Sequence, residues 1–136
     1  MPLLSRKGIL AIAVVIDVAL QAQGKPISAR TLAARHGLSP RQLDTMLATL
    51  AREGILKATR GPRGGYKLAR ERCQITANDI LRAADTVDEG VEKPLNSELV
   101  KKVVLPALST AENEFGIALG RINLEEMARS AEALKS

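Results

Sequence analysis

Residues 6–22 carry apolar side chains at nearly every position. Ile9, Ala13, Ile16 and Leu20 recur at helical spacing, and Ile12, Val14, Val15 and Val18 fill the remaining faces. A helix without a polar face is one buried on several sides. The pattern predicts a first helix over 6–22, stopped by Gly24 and Pro26. A second, shorter helix follows from Ala29 to His36, capped by Ser28, with Leu32 and Ala33 inward and Gly37 as its stop. Ser39 caps a third, with Pro40 at the first helical position, where a missing N–H costs nothing. Leu43, Leu47 and Leu50 give this helix one buried stripe, and Gly54 ends it.

The periodicity then changes. Ile55–Thr59 and Tyr66–Ala69 read as two short strands around Arg60-Gly61-Pro62-Arg63-Gly64-Gly65, a hairpin built on turn residues. Thr76 and Asp79 form a capping box for a helix to about Thr86 that buries Ile80, Leu81 and Ala84. Residues 88–94 read as an acidic loop. From Ser97 to Gly120 the apolar positions Val104, Leu108, Ala111, Phe115, Ala118 and Ile122 step by four and three, the spacing of a helix–helix seam. Pro106 predicts a kink inside that run, and Gly116 and Gly120 would let another backbone come close. Asn123 and Glu126 open a last helix over about Leu124–Leu134.

The fold class that results is mainly α with one small β-hairpin. Two short helices around a Gly turn, followed by a hairpin, make a winged helix-turn-helix domain over 1–86. Residues 87–136 make a loop and dimerisation helices.

Composition sharpens this picture at three points. One Tyr, one Phe and no Trp leave an aliphatic core and argue against base stacking as an activity. The net charge of +5 is unevenly spread: residues 1–72 hold thirteen Lys/Arg against four Asp/Glu, and residues 73–136 hold seven against eleven. A basic first half suits a nucleic-acid module, and an acidic second half suits a partner-contacting segment. A single cysteine, Cys73, excludes an internal disulfide framework and fits a reducing cytoplasm. The apolar run at the start is too short for a membrane span and is interrupted by Asp17.

In a helix-turn-helix, the N-terminal residues of the second helix reach base edges. Here these are Ser39, Pro40, Arg41, Gln42 and Thr45. Arg can read guanine and Gln adenine through paired hydrogen bonds. Arg60, Arg63 and Gly64 of the hairpin, with Ser28 at the preceding cap, complete the candidate DNA-binding set, the arginines reaching backbone or minor groove. Double-stranded DNA is the expected partner, met by a two-fold dimer through the seam residues. Catalysis has little support: His36 is the only histidine and reads as a capping or solvent-facing residue. Metal-ligand spacing is absent, and Gly64-Gly65 lies between strands rather than before a helix. A protein-interaction module on the same scaffold is the alternative function, but it leaves Arg41 and the basic hairpin unexplained.

The chain resembles the Rrf-type family of bacterial winged-helix regulators. The resemblance runs from Arg6-Lys7-Gly8 through Gly37-Leu38-Ser39-Pro40-Arg41. Its most specific stretch is Arg60-Gly61-Pro62-x-Gly64-Gly65-Tyr66-x-Leu68-Ala69, and it continues through Ile75-Thr76-x-x-Asp79-Ile80-Leu81-Arg82-Ala83. It implies a homodimeric transcription factor, commonly a repressor, that binds an operator through the helix after Ser39 and the wing. Cluster-binding members carry three cysteines in the region matching Gly90–Val104, where this chain has none. No cofactor is therefore implied, and the expected effector is a small molecule, a partner protein or a redox change at cysteine. Cys73, between Arg72 and Gln74, is the one redox candidate; an ordinary isolated thiol is the preferred reading.

Overall fold

The computed structural model describes residues 5–21, 24–85 and 98–134. Helix α1 spans Arg6–Ala19, shorter than its apolar run, with Leu20 as its C-cap. Its many β-branched residues are indifferent helix formers. Packing holds it: Ala11, Val14, Val15 and Val18 are all buried in the common core. Ser5 caps its start by accepting from the Gly8 N–H at 2.9 Å. Gly8 is where α1 crosses α4 (Ala77–Asp85), since a Cβ there would stand 2.5 Å from Leu81 Cδ2.

Helices α2 (Ala29–His36) and α3 (Pro40–Arg52) form the helix-turn-helix. Ser28 and Ser39 cap them, accepting from the N–H groups of Thr31 and Gln42, both at 3.1 Å. Gly37 ends α2 in the left-handed conformation, φ 64°. The α3 stripe is buried as its spacing predicts, with Leu43, Leu47 and Leu50 inaccessible to solvent.

Strands β1 (Leu56–Thr59) and β2 (Gly65–Leu68) pair antiparallel, Leu56 opposite Leu68 and Thr59 opposite Gly65. The turn between them closes through a Gly64 N–H to Gly61 carbonyl bond of 2.9 Å, with Pro62 at the second position. Gly61 has φ +106°, and a Cβ on Gly64 would collide with the Thr59 carbonyl. The hairpin is tied back to the helices by a bridge between Tyr66 and Ile27, with N–H to carbonyl bonds of 2.8 and 3.0 Å. Gly65 permits that approach, because a Cβ there would overlap the Ile27 carbonyl.

A short 3-10 segment, Arg72–Gln74, leads to α4. The Thr76/Asp79 capping box is present in both directions, at 3.0 and 3.1 Å. Residues 86–97, where the acidic loop was expected, lie outside the described residues. Pro106, where a kink is expected, falls in the first turn of α5 (Leu105–Gly120), which follows a π-helical segment, Val100–Val104. At that position the missing N–H of proline costs little, because the first N–H groups of a helix have no partner within it. Among the described residues none comes close to Gly116 or Gly120: a Cβ on Gly116 would meet only Asn78 Oδ1 at 3.9 Å, and one on Gly120 would meet nothing within 4 Å.

Helix α6 (Leu124–Leu134) starts at Asn123, whose side chain accepts from the Glu125 N–H at 2.7 Å and donates to the Cys73 carbonyl at 2.8 Å. Although the sequence division at residue 86 groups α6 with the partner-contacting segment, Leu124 and Ala128 are buried in the same core as α1 and α3. No helix among the described residues is long and apolar enough to cross a membrane.

Candidate nucleic-acid interface

The exposed start of α3 and the tip of the hairpin carry the residues expected to meet DNA. Ser39, Pro40, Arg41, Gln42 and Thr45 are all exposed, as are Arg60 and Arg63; Ser28 and Gly64 are partly covered. Most of the polar side chains at the head of α3 already have local work. Gln42 closes a capping box, its Oε1 accepting from the Ser39 N–H at 3.2 Å. Thr45 donates its hydroxyl to the Arg41 carbonyl at 3.1 Å. Ser28 is occupied by its cap and by the Thr31 hydroxyl at 2.9 Å. Arg41 alone of these polar side chains makes no hydrogen bond or ion pair with a described residue. It is therefore the side chain freest to reach outward, while Gln42 can offer its amide nitrogen with the cap still in place.

Arg41, Gln42 and Thr45 share a groove of about 630 Å³ with Arg6 and Lys7 at the start of α1. In the sequence those two cations stand out only as the start of the family resemblance; the α1–α3 juxtaposition makes them part of the same surface. Pro40 lies in a neighbouring groove with Arg30 and Asp44. Arg60 and Arg63 stand apart on the hairpin tip, outside both grooves. Along this surface Asp44 is the acidic exception on α3.

His36 is not the solvent-facing residue its position suggests. Its Nε2 lies 3.0 Å from Asp17 Oδ2, and Arg35 Nη1 lies 2.6 Å from Asp17 Oδ1. Asp17, an apparent flaw in the apolar run of α1, is a buried carboxylate that fastens the last turn of α2. Buried charge of this kind is tolerated when paired and hydrogen-bonded. The tie sets α2, and through the Gly37 turn α3, against α1.

The seam positions behave differently. Val104 and Ile122 are 37% and 43% exposed, Ala111 and Ala118 are exposed, and Phe115 is partly covered. The Leu108 side chain lies outside the described residues. Cys73 is exposed, with its Sγ 3.8 Å from Glu71 Oε2. No group of three or more His, Cys, Asp or Glu residues able to hold a metal occurs among the described residues.

Two helices around a Gly turn, a cationic hairpin bridged to the first of them and an exposed arginine at the head of the second define a winged helix-turn-helix protein. The chain belongs to the Rrf2 family, described as iron-dependent transcriptional regulators, whose profile matches residues 4–130. It is 30% identical to the transcriptional regulator IscR of Xenorhabdus nematophila over 142 aligned residues, covering 96% of this chain and 82% of that one. Over 89 residues it is 35% identical to an Azotobacter vinelandii protein described as a putative HTH-type transcriptional regulator, and it spans about half of that relative, 52%. Among solved structures it resembles T. potens IscR, with TM-score 0.74 and 32% identity over 98% of this chain and 90% of that chain. It also resembles the global cysteine regulator CymR of B. subtilis, with TM-score 0.69 and 29% identity over 96% and 98%. An iron–sulfur cluster held by the protein needs several thiolates. With Cys73 as its single cysteine, and that on the far side of α4 from Val100–Val104 in sequence, the chain does not fit one.

Proposed function

We propose that the chain is a sequence-specific DNA-binding repressor that works as a homodimer on a palindromic operator and without an iron–sulfur cluster. The observation that carries this reading is Arg41, uncommitted at the exposed head of α3 and sharing a groove with Arg6 and Lys7. Arg41 would read a base edge in the major groove, with Gln42 and Thr45 beside it. Arg6, Lys7, Arg60 and Arg63 would neutralise phosphates and position the helix. The exposed seam of α5 supports a second copy as its cover, since apolar positions at helix-packing spacing rarely face water for no reason. A two-fold dimer would present two α3 helices to a symmetric site. Seated over a promoter, it would repress by occupancy.

Selection of bound duplexes from a random pool tests the specificity, and enrichment of a palindrome is the expected outcome. With four such cations in each protomer, roughly eight phosphates are engaged by a dimer, and affinity should fall about 10³-fold or more between ~50 and ~200 mM salt. Protein purified anaerobically should bind the operator equally well before and after treatment with an iron chelator. Unchanged affinity of the R41A/R60A/R63A variant would remove the reading.

A further inference from the structure

A second cavity, of about 640 Å³, lies at the base of the wing. The end of α1, strand β2, the 3-10 connector and the start of α6 all contribute to its wall, and the size is typical of a small-molecule site, about 300–1,000 Å³. We propose that it binds a small zwitterionic metabolite of the amino-acid type, and that its occupancy adjusts how the wing is held.

The charges on its wall carry this inference. Lys67 stands directly opposite Lys57 in the hairpin register. Like charges so placed repel, and no ion pair with a described residue neutralises Lys67. Arg72 is already paired with two carboxylates of α6, Glu125 and Glu132. Its Nη1 reaches the Ala19 carbonyl at 3.4 Å, and its Nη2 reaches Glu125 at 3.5 Å and Glu132 at 3.8 Å. Its Nε is buried and 3.1 Å from Glu125 Oε1, yet makes no hydrogen bond. Well-made bonds between such groups are about 2.7–2.9 Å. A carboxylate entering the cavity would give Lys67 the opposite charge it lacks among the described residues.

An anion alone is the poorer match, because Glu71 and Glu125 face the same space. Glu71 is exposed, and among the described residues its carboxylate accepts only a long 3.8 Å bond from the Cys73 thiol, which leaves it for an ammonium group. Val18 and Ala19 at the end of α1 supply apolar surface for the rest of the ligand. One cation, one anion and an apolar wall together select a molecule carrying both charges.

The position of the cavity gives it a use. Lys67 and Leu68 follow Tyr66, the residue bridged to Ile27, on the strand that descends from the arginine-bearing turn. Arg72 links the end of α1 to α6. A ligand spanning β2 and the connector would fix the wing relative to those helices. If occupancy changes DNA affinity by some factor, DNA changes ligand affinity by the same factor. That coupling rests on the DNA-binding reading, whereas ligand binding does not.

The test therefore begins without DNA. The full chain is melted and titrated calorimetrically with each proteinogenic L-amino acid at about 1 mM, alongside the matching decarboxylated amines, the N-acetyl derivatives and inorganic phosphate. At least one amino acid should raise the melting temperature and saturate at one per protomer. Its amine and its N-acetyl form should bind at least about tenfold more weakly, as should the parent amino acid to Lys67→Met and to Glu71→Gln, both on the surface and checked for native circular dichroism. No binding by any amino acid, equal binding by the singly charged analogues or by phosphate, or undiminished binding to the two variants would each overturn the site. Adding the bound amino acid to an operator titration should shift DNA affinity; an unshifted titration overturns the coupling. Loss of DNA binding with ligand binding intact would count against the DNA reading alone.

Discussion

Helices α3 and α5 have similar lengths, 13 and 16 residues, and treat their apolar positions in opposite ways. In α3 the leucine stripe is completely buried, and the opposite face carries Arg41, Gln42, Asp44 and Thr45 to solvent. Its geometry is settled within one chain. In α5 the regular seam stays largely exposed, with Ile117 at 53% adding to it from another face. The same spacing rule reads both helices, but for α5 it marks a surface that has no cover among the described residues. A periodic apolar pattern therefore reports that a face will be covered, and says nothing of which molecule covers it.

Variants can set the two helices against each other. The largest effect is expected from Leu47→Ala in α3, which should lower stability by about 2–5 kcal/mol in chemical denaturation, through lost burial and an unfilled cavity. Phe115→Ala in α5 with Ile122→Ala just beyond its end should instead leave a folded chain and make sedimentation depend on concentration at much higher protein levels. An equal stability loss for both sets, with no change in association, would erase the contrast.

Arg41→Ala should cost about 1–3 kcal/mol of operator affinity and relax the preference at one base position, as read by binding to single-base operator variants. Arg63→Ala should weaken all sequences alike. Next, Asp17→Asn should destabilise by about 1–3 kcal/mol, because it takes the charge from a buried acceptor of two α2 side chains. Arg35 is 48% exposed, which holds the effect to the lower part of the range for buried pairs. Ser39→Ala, the smallest, should lower thermal stability by about 1 kcal/mol through the lost α3 cap.

Local chemistry was legible in the sequence. Ser28, Ser39 and Thr76 cap the helices they precede, and the turn through Pro62 has the residues its closure needs, since each depends on neighbours within four positions. What depended on juxtaposition was not. The Asp17 tie to Arg35 and His36 spans 18 and 19 residues, and no periodicity announces it. Read along the chain, Asp17 breaks an apolar run; only the α1–α2 packing turns it into a fastening. The bridge between Ile27 and Tyr66 was hidden for the same reason, although Gly65 marked the place where two backbones meet. In the candidate interface, the exposure of Arg41 followed from the α3 stripe, but the cap held by Gln42 and the company of Arg6 and Lys7 needed three dimensions. Helix α1 ends at Ala19 rather than near residue 22 because apolar character continues past the point where the backbone turns.

The π-helical segment also determines where the chain can change length. Each residue advances an α-helix by about 100°. Removing one residue inside α5 would swing every seam position that follows it round the helix axis, and the face would no longer be a face. Removing one from Val100–Val104 would only let that wide turn tighten to ordinary α geometry, with α5 left in place. The segment would act as a slack coil, taking up the loss of one residue and keeping the phase of the helix beyond it.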